Sequence, residues 1–236
     1  MDANFLNALE LKALYESNKN IGNLKFIHIP KTGGTSIEES VKEHNLLWGR
    51  FDTSLKGYKD ISPWHCPQEI SPYCFCVVRN PFDRFISQFY HENPSKNYNS
   101  EKLNNFIEIK IPQIKNNINI DNNHFLPQYM FSEKCHIIIS FDNLQDNLNN
   151  LMKIFNLPSL VLKKLPGGKI QQRKRRKIKN IDINRLSYLD INDRNKRLIE
   201  QIYKLDFELY NNIKKLGILF KKNITKDLIH NKKIKI

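Results

Sequence analysis

From residue 24 onward, short apolar runs alternate with stretches whose apolar positions recur every three or four residues, the pattern of strands feeding helices. The run Leu24 to Ile29 predicts a strand that Pro30 ends and Gly33-Gly34 turns, with Thr35 or Ser36 capping the next helix. Tyr73 to Val78 predicts a second strand, apolar enough to be buried on both faces. Asn80 then reads as an N-cap and Pro81 as the first helical residue, and Phe82, Phe85, Ile86, Phe89 and Tyr90 make one apolar helix face. His136 to Ser140 and Asn143 to Phe155 repeat the unit, with Leu144, Leu148, Leu151, Met152 and Phe155 turned inward. Near the C-terminus, Leu198, Ile202, Leu205, Leu209, Ile213 and Leu216 predict one long core-facing helix. Phe5 to Leu14 predicts a surface helix within an N-terminal segment, 1–20. Residues 93–123 are Asn-rich and weakly periodic, so we expect loop with a brief helix around Leu103 to Ile109, an insertion suited to shaping an acceptor cleft.

This alternation implies an α/β fold: a P-loop-like three-layer domain with a central, mainly parallel sheet flanked by helices. The 236 residues, 40% of them hydrophobic, suffice for one domain with a full core. Four cysteines do not suggest a disulfide framework. Cys74 and Cys76 point to the same strand face, Cys66 and Cys135 lack metal-ligand spacing, and all four are expected to be reduced and structural. No metal is expected. No stretch is apolar enough to span a bilayer and no signal pattern opens the chain, which favours a soluble, cytoplasmic protein of bacterial or viral origin.

The formal net charge of +14 suggests a polyanionic partner, although abundant Lys, Asn and Ile together also reflect an A/T-rich coding composition. Clustering narrows this. Lys169, Arg173, Lys174, Arg175, Arg176, Lys177 and Lys179 lie within a basic loop, 166–180, open to three readings: closure over a cofactor's phosphates, a grip on an acidic acceptor, or a solvated charge run.

Chemistry enters at Pro30-Lys31-Thr32-Gly33-Gly34-Thr35-Ser36, where a strand, a Gly-rich turn and a helix N-terminus together can cradle an anion beside a full positive charge. In a Walker A loop the lysine follows the last glycine. Here Lys31 precedes both, which disfavours an ordinary ATP or GTP hydrolase. The order instead resembles the 5′-phosphosulfate loop of sulfotransferases that use 3′-phosphoadenosine 5′-phosphosulfate, and within them the carbohydrate O-sulfotransferases related to heparan sulfate 2-O-sulfotransferase. Val78-Arg79-Asn80-Pro81 with Ser87 downstream resembles their second motif, which implies that Arg79 and Ser87 hold the 3′-phosphate. The competing reading makes Arg79 and Arg84 solvated or salt-bridged turn residues and Gly33-Gly34 only a tight connection.

The resemblance implies a cofactor set of Lys31, Thr32, Gly33, Gly34, Thr35, Ser36, Arg79, Ser87 and Lys169, with adenosine 3′,5′-bisphosphate as product. Sulfuryl transfer also needs a cation at the leaving phosphate, for which Lys31 is placed, and a base for the acceptor hydroxyl. Of seven histidines, His65 in Ser62-Pro63-Trp64-His65-Cys66-Pro67 is the first choice: it lies between the two motifs, where the resemblance places a catalytic histidine. The competing reading is a loop histidine packed beside Trp64. Asn123-His124-Phe125-Leu126-Pro127-Gln128 resembles a family segment on the acceptor side, which implies acceptor positioning by His124 and Gln128. His28 reads as a hydrogen-bonded core histidine. The acceptor is expected to be a carbohydrate or other hydroxyl compound, with an acidic one within range. A P-loop phosphotransferase and a basic nucleic-acid-binding protein are the alternatives; nucleic acid fits poorly because it leaves the paired anion loops without purpose.

Overall fold

A computed structural model of the chain describes residues 24–58, 60–70, 73–93, 98–163 and 185–221. The N-terminal segment 1–20, the basic loop 166–180 and Lys169 within it lie outside the described residues.

Among the described residues, four strands form the sheet in the order β1 (Leu24–Phe26), β2 (Tyr73–Val78), β3 (Ile137–Ser140) and β4 (Ile218–Phe220). β1 pairs parallel with β2 and β2 with β3, whereas β4 closes the edge antiparallel to β3. The mainly parallel α/β architecture expected from the alternation is what the chain adopts. Alternate residues of β2 serve opposite cores: Phe75 and Val77 join Phe26, Ile37, Leu148 and Met152, while Cys74, Cys76 and Val78 join Ile29, Phe131, Ile138 and Ile213. Burial on both faces explains why β2 has no polar alternation. All four cysteines are free thiols in the interior.

Helices α1 (Gly34–Val41), α2 (Pro81–Glu92), α3 (Ser100–Asn116), α4 (Gln128–Ser132), α5 (Leu144–Ile154), α6 (Asp193–Ile202) and α7 (Lys204–Ile213) pack around the sheet. Asn80 caps α2 by accepting from Phe82 N at 2.9 Å, with Pro81 at the first helical position, as the sequence predicts. Four local expectations need correction. β1 ends at Phe26 rather than running on to Ile29 and Pro30. α1 is not capped by Thr35 or Ser36, which lie inside its first turn; Gly33, in the left-handed conformation, stands at the cap without a side-chain bond. Residues 100–116 are a full helix rather than loop: Leu103, Phe106, Ile107, Ile111 and Ile114 are buried at helical spacing, a stripe that the surrounding Asn and Lys residues mask.

The C-terminal helix is in fact two, α6 and α7, broken at Tyr203. The break lets the Tyr203 hydroxyl donate to Phe125 O at 2.6 Å and brings the Asp206 carboxylate to Gln128 N and Tyr129 N at 2.8 and 2.9 Å. Those two N–H groups are orphan donors at the start of α4, so Asp206 caps that helix from a distant element. Leu205 and Leu216, expected in the core, are exposed, and Leu216 lies beyond the end of α7.

Candidate active site

Because β1 and β2 are adjacent and parallel, the loops leaving their C-terminal ends emerge side by side. This is where ligands bind in open α/β sheets. The first loop carries Lys31, the second Arg79, and a hydrogen bond joins them: Arg79 Nη1 donates to Lys31 O at 3.1 Å. Arg84 takes the neighbouring carbonyl, its Nε donating to Pro30 O at 3.0 Å and its Nη2 to His124 O at 2.9 Å. Two arginines thus clamp consecutive carbonyls of one loop, and Arg84, fully buried, is a structural part of the site.

The clamp holds an unusual backbone. Lys31 has φ 69° and Gly33 φ 89°, and a left-handed lysine costs about 1 kcal/mol or more unless its surroundings enforce it. Among the described residues no oxygen accepts from the N–H groups of Thr32 to Thr35, so the turn and the first turn of α1 present unpaired donors. The Thr32 side chain is buried and its hydroxyl donates to Ile29 O at 2.8 Å, which leaves its backbone rather than its side chain for a ligand. Thr35 is exposed and Ser36 half-buried.

Lys31 makes no ion pair among the described residues, yet it is largely removed from water. Burial, assisted by the Arg79 charge and opposed by Glu92, lowers its pKa from 10.5 to about 8. Arg79 stacks its guanidinium 4.5 Å over the Phe141 ring, and its Nε is buried without a partner. Two half-buried cations, neither in an ion pair among the described residues, stand beside free N–H groups and fit an anionic ligand. Gln128 fixes Arg79 further: its Oε1 accepts from Arg79 N and its Nε2 donates to Arg79 O, both at 2.9 Å. This amide is buried, and each of its ends makes one bond to the Arg79 backbone. Ser87 lies two turns along α2, half-buried, with no hydroxyl partner among the described residues.

Beside the loop stands a line of four imidazoles. His28, His65 and His124 succeed one another at 5.0 Å between ring centroids, in edge contact, and His91 stacks on His124 at 5.2 Å. His28 is the core histidine expected: its Nδ1 bonds the buried Glu38 carboxylate at 2.7 Å, and its ring lies against Gly34. His65 is buried with its Nδ1 unpaired, and burial together with His28 lowers its pKa to about 3. His124 is brought to about 2 by burial, then by His65, Lys31, His91 and Arg84. Both rings are therefore neutral at physiological pH. Sequence reasoning singled out His65 and His124 but not Arg84, Gln88, His91 or Glu92; the helical spacing of Arg84, Gln88 and Glu92 on α2 was the available signal.

Gly34 permits this packing. A Cβ there would meet His28 Cδ2 at 2.3 Å, and the ring cannot step aside while Glu38 holds it. Gly34→Ala is expected to destabilise the fold by ~1–3 kcal/mol and lower the denaturant midpoint. A midpoint equal to wild type would show that the ring is free to move.

A model described as the Sulfotransferase family matches residues 19–212, a span containing every described element from β1 to α6 and nearly all of α7. The chain belongs to the sulfotransferase family. No curated protein and no solved structure matches it. Membership does not favour a P-loop phosphotransferase or a nucleic-acid-binding protein. Among the described residues no helix is long and apolar enough to cross a membrane, and no cluster of three or more His, Cys, Asp or Glu is arranged to hold a metal ion.

Proposed function

We propose that this sulfotransferase draws on 3′-phosphoadenosine 5′-phosphosulfate and modifies a hydroxyl of a carbohydrate, with His65 as base. The observation that carries the reading is the Arg79–Lys31 junction, which makes one anion site of two loops. The residues fit the cofactor: unpaired N–H groups from Thr32 to Thr35 and the Lys31 ammonium suit the 5′-phosphosulfate, and the unpaired Arg79 Nε with the Ser87 hydroxyl suits the 3′-phosphate. Bound there, the cofactor supplies an activated sulfuryl group on a phosphate leaving group. Lys31 offsets the charge that grows on that phosphate, and His65, neutral and next to the loop, takes the hydroxyl proton. Gln128 acts as a positioning residue for Arg79, and His124 serves the acceptor side. The carbohydrate class rests on the resemblance of the two loops and the His124 segment to the carbohydrate O-sulfotransferases; residues 93–123 would flank the acceptor.

Adenosine 3′,5′-bisphosphate at a hundredfold excess over its Kd is expected to raise Tm by roughly 5–10 °C. ATP with magnesium should do far less, because it has no 3′-phosphate for Arg79 and Ser87. Equal shifts from both nucleotides would reject the assignment of the 3′-phosphate site.

A further inference from the structure

The end of β3 meets the two loops of the site. Val78 and Ser140 are partners in the parallel ladder, so Arg79 and Phe141, the residues that follow them, leave the sheet side by side. Phe141 N donates to Val78 O at 2.8 Å, which fixes its backbone against the start of the Arg79 loop. Its partly buried ring then has two neighbours. The Arg79 guanidinium lies 4.5 Å from the ring centroid. On the other side, a Cβ on Gly33 would stand 3.1 Å from Phe141 Cε2 and 3.0 Å from Leu144 Cδ2. One ring therefore bears both on the bare backbone of the anion loop and on the arginine beside it.

The kind of partner matters for Arg79. A carboxylate against the guanidinium would occupy its N–H groups, whereas an aromatic face attracts the cation and accepts none of them. Asp83 and Asp142 act on Arg79 through charge alone, with Arg185 adding a like charge, and the Asp142 carboxylate accepts from the Tyr210 hydroxyl at 2.8 Å. Of the guanidinium donors, Nη1 is used by Lys31 O at 3.1 Å and Nε is buried without a partner. A buried donor without an acceptor is costly, and a phosphate oxygen relieves that cost.

We propose that Phe141 is a positioning residue that sets specificity for 3′-phosphorylated nucleotides: its face holds the Arg79 guanidinium with Nε open, and its edge supports the Gly33 turn. This rests on the reading of the site as one for 3′-phosphoadenosine 5′-phosphosulfate. The ring stands where a counter-ion would otherwise be, so the free site keeps its positive charge. It also fixes the separation between the two phosphate contacts. A nucleotide with only a 5′-phosphate engages the Gly33 turn and forgoes the contact that Phe141 organises.

Binding tests this without turnover, by calorimetric Kd values for adenosine 3′,5′-bisphosphate and adenosine 5′-phosphate on the full chain. Wild type should prefer the bisphosphate by about 100-fold. Phe141→Leu keeps an apolar side chain against Gly33 and removes the aromatic face. It should bind adenosine 5′-phosphate as wild type does and lose about 5–30-fold of the preference. Phe141→Tyr, which keeps the face, should retain it. In an Arg79→Met background, where no guanidinium remains, Phe141→Leu should change the preference no further. A ring with a merely structural role moves both nucleotides together. Equal weakening, or a preference that Phe141→Leu leaves at the wild-type value, therefore overturns the proposal and leaves the cofactor reading standing. Phe141→Met is read in the same way if the leucine variant fails to fold, and loss of both nucleotides in both variants also overturns the proposal. A wild type without preference for the bisphosphate overturns the cofactor reading and the proposal together.

Discussion

Lys31→Met is expected to cut turnover by about 10²–10³ and to make the free protein more stable. The two effects share one cause. Lys31 sits in a left-handed turn, largely buried, with no ion pair among the described residues and with Arg79 adding a like charge. Lowering its pKa from 10.5 to about 8 corresponds to ~3 kcal/mol by which folding disfavours the ammonium. The folded value lies below the unfolded one, so this cost is fully present below pH 8. It fades as pH rises from about 8 to 10.5, where the unfolded chain holds the proton longer than the folded one. Methionine keeps the stem and removes the charge, which relieves the cost in the free protein. Bound phosphates reverse the sign: they favour the ammonium, so adenosine 3′,5′-bisphosphate should bind with proton uptake between pH 8 and 9 in wild type and without it in the variant. Calorimetry in buffers of different ionisation enthalpy measures that uptake directly. A Lys31→Met protein that is less stable than wild type and still turns over would recast Lys31 as a structural residue.

The strand-loop-helix units were legible because they follow from local chemistry. Gly33 takes a positive φ, Asn80 and Pro81 start a helix, and the β2 run is apolar because both its faces are covered, although the β1 ladder stops at Phe26, short of Pro30. The parallel pairing of β1 with β2 then brought Lys31 and Arg79 together without further information from the sequence. What the sequence hid depends on contacts between distant segments. The Asn- and Lys-rich surface of α3 masked its buried stripe. The break at Tyr203 is set by Phe125 and by the cap that Asp206 provides to α4, neither of which periodicity can register. Gln128 shows the limit most clearly: its motif was visible, but that its buried amide grips the Arg79 backbone appears only in three dimensions.

His65→Ala is expected to lower kcat by about 10²–10⁴ while adenosine 3′,5′-bisphosphate still binds and raises Tm. The separation follows from placement: Lys31, the N–H groups of Thr32 to Thr35 and Arg79 belong to the loops, whereas His65 touches the site through His28 and His124. Its pKa of about 3 in the free protein, set first by burial and then by His28, means that the neutral ring is present throughout the physiological range. The acid limb of kcat/KM that belongs to His65 should accordingly lie well below pH 6, and its alkaline limb near pH 8 should belong to Lys31, protonated below that value. Once the cofactor's negative charges occupy the loop they favour a protonated imidazole, so the acid limb of kcat, which reports the loaded complex, should move upward toward neutrality. That shift makes His65 a stronger base only when the cofactor is in place. If His65→Ala leaves kcat near wild type, or if the acid limbs of kcat and kcat/KM coincide, the proton is taken by another group. His124, whose ring lies 5.0 Å from that of His65, is then the imidazole to test.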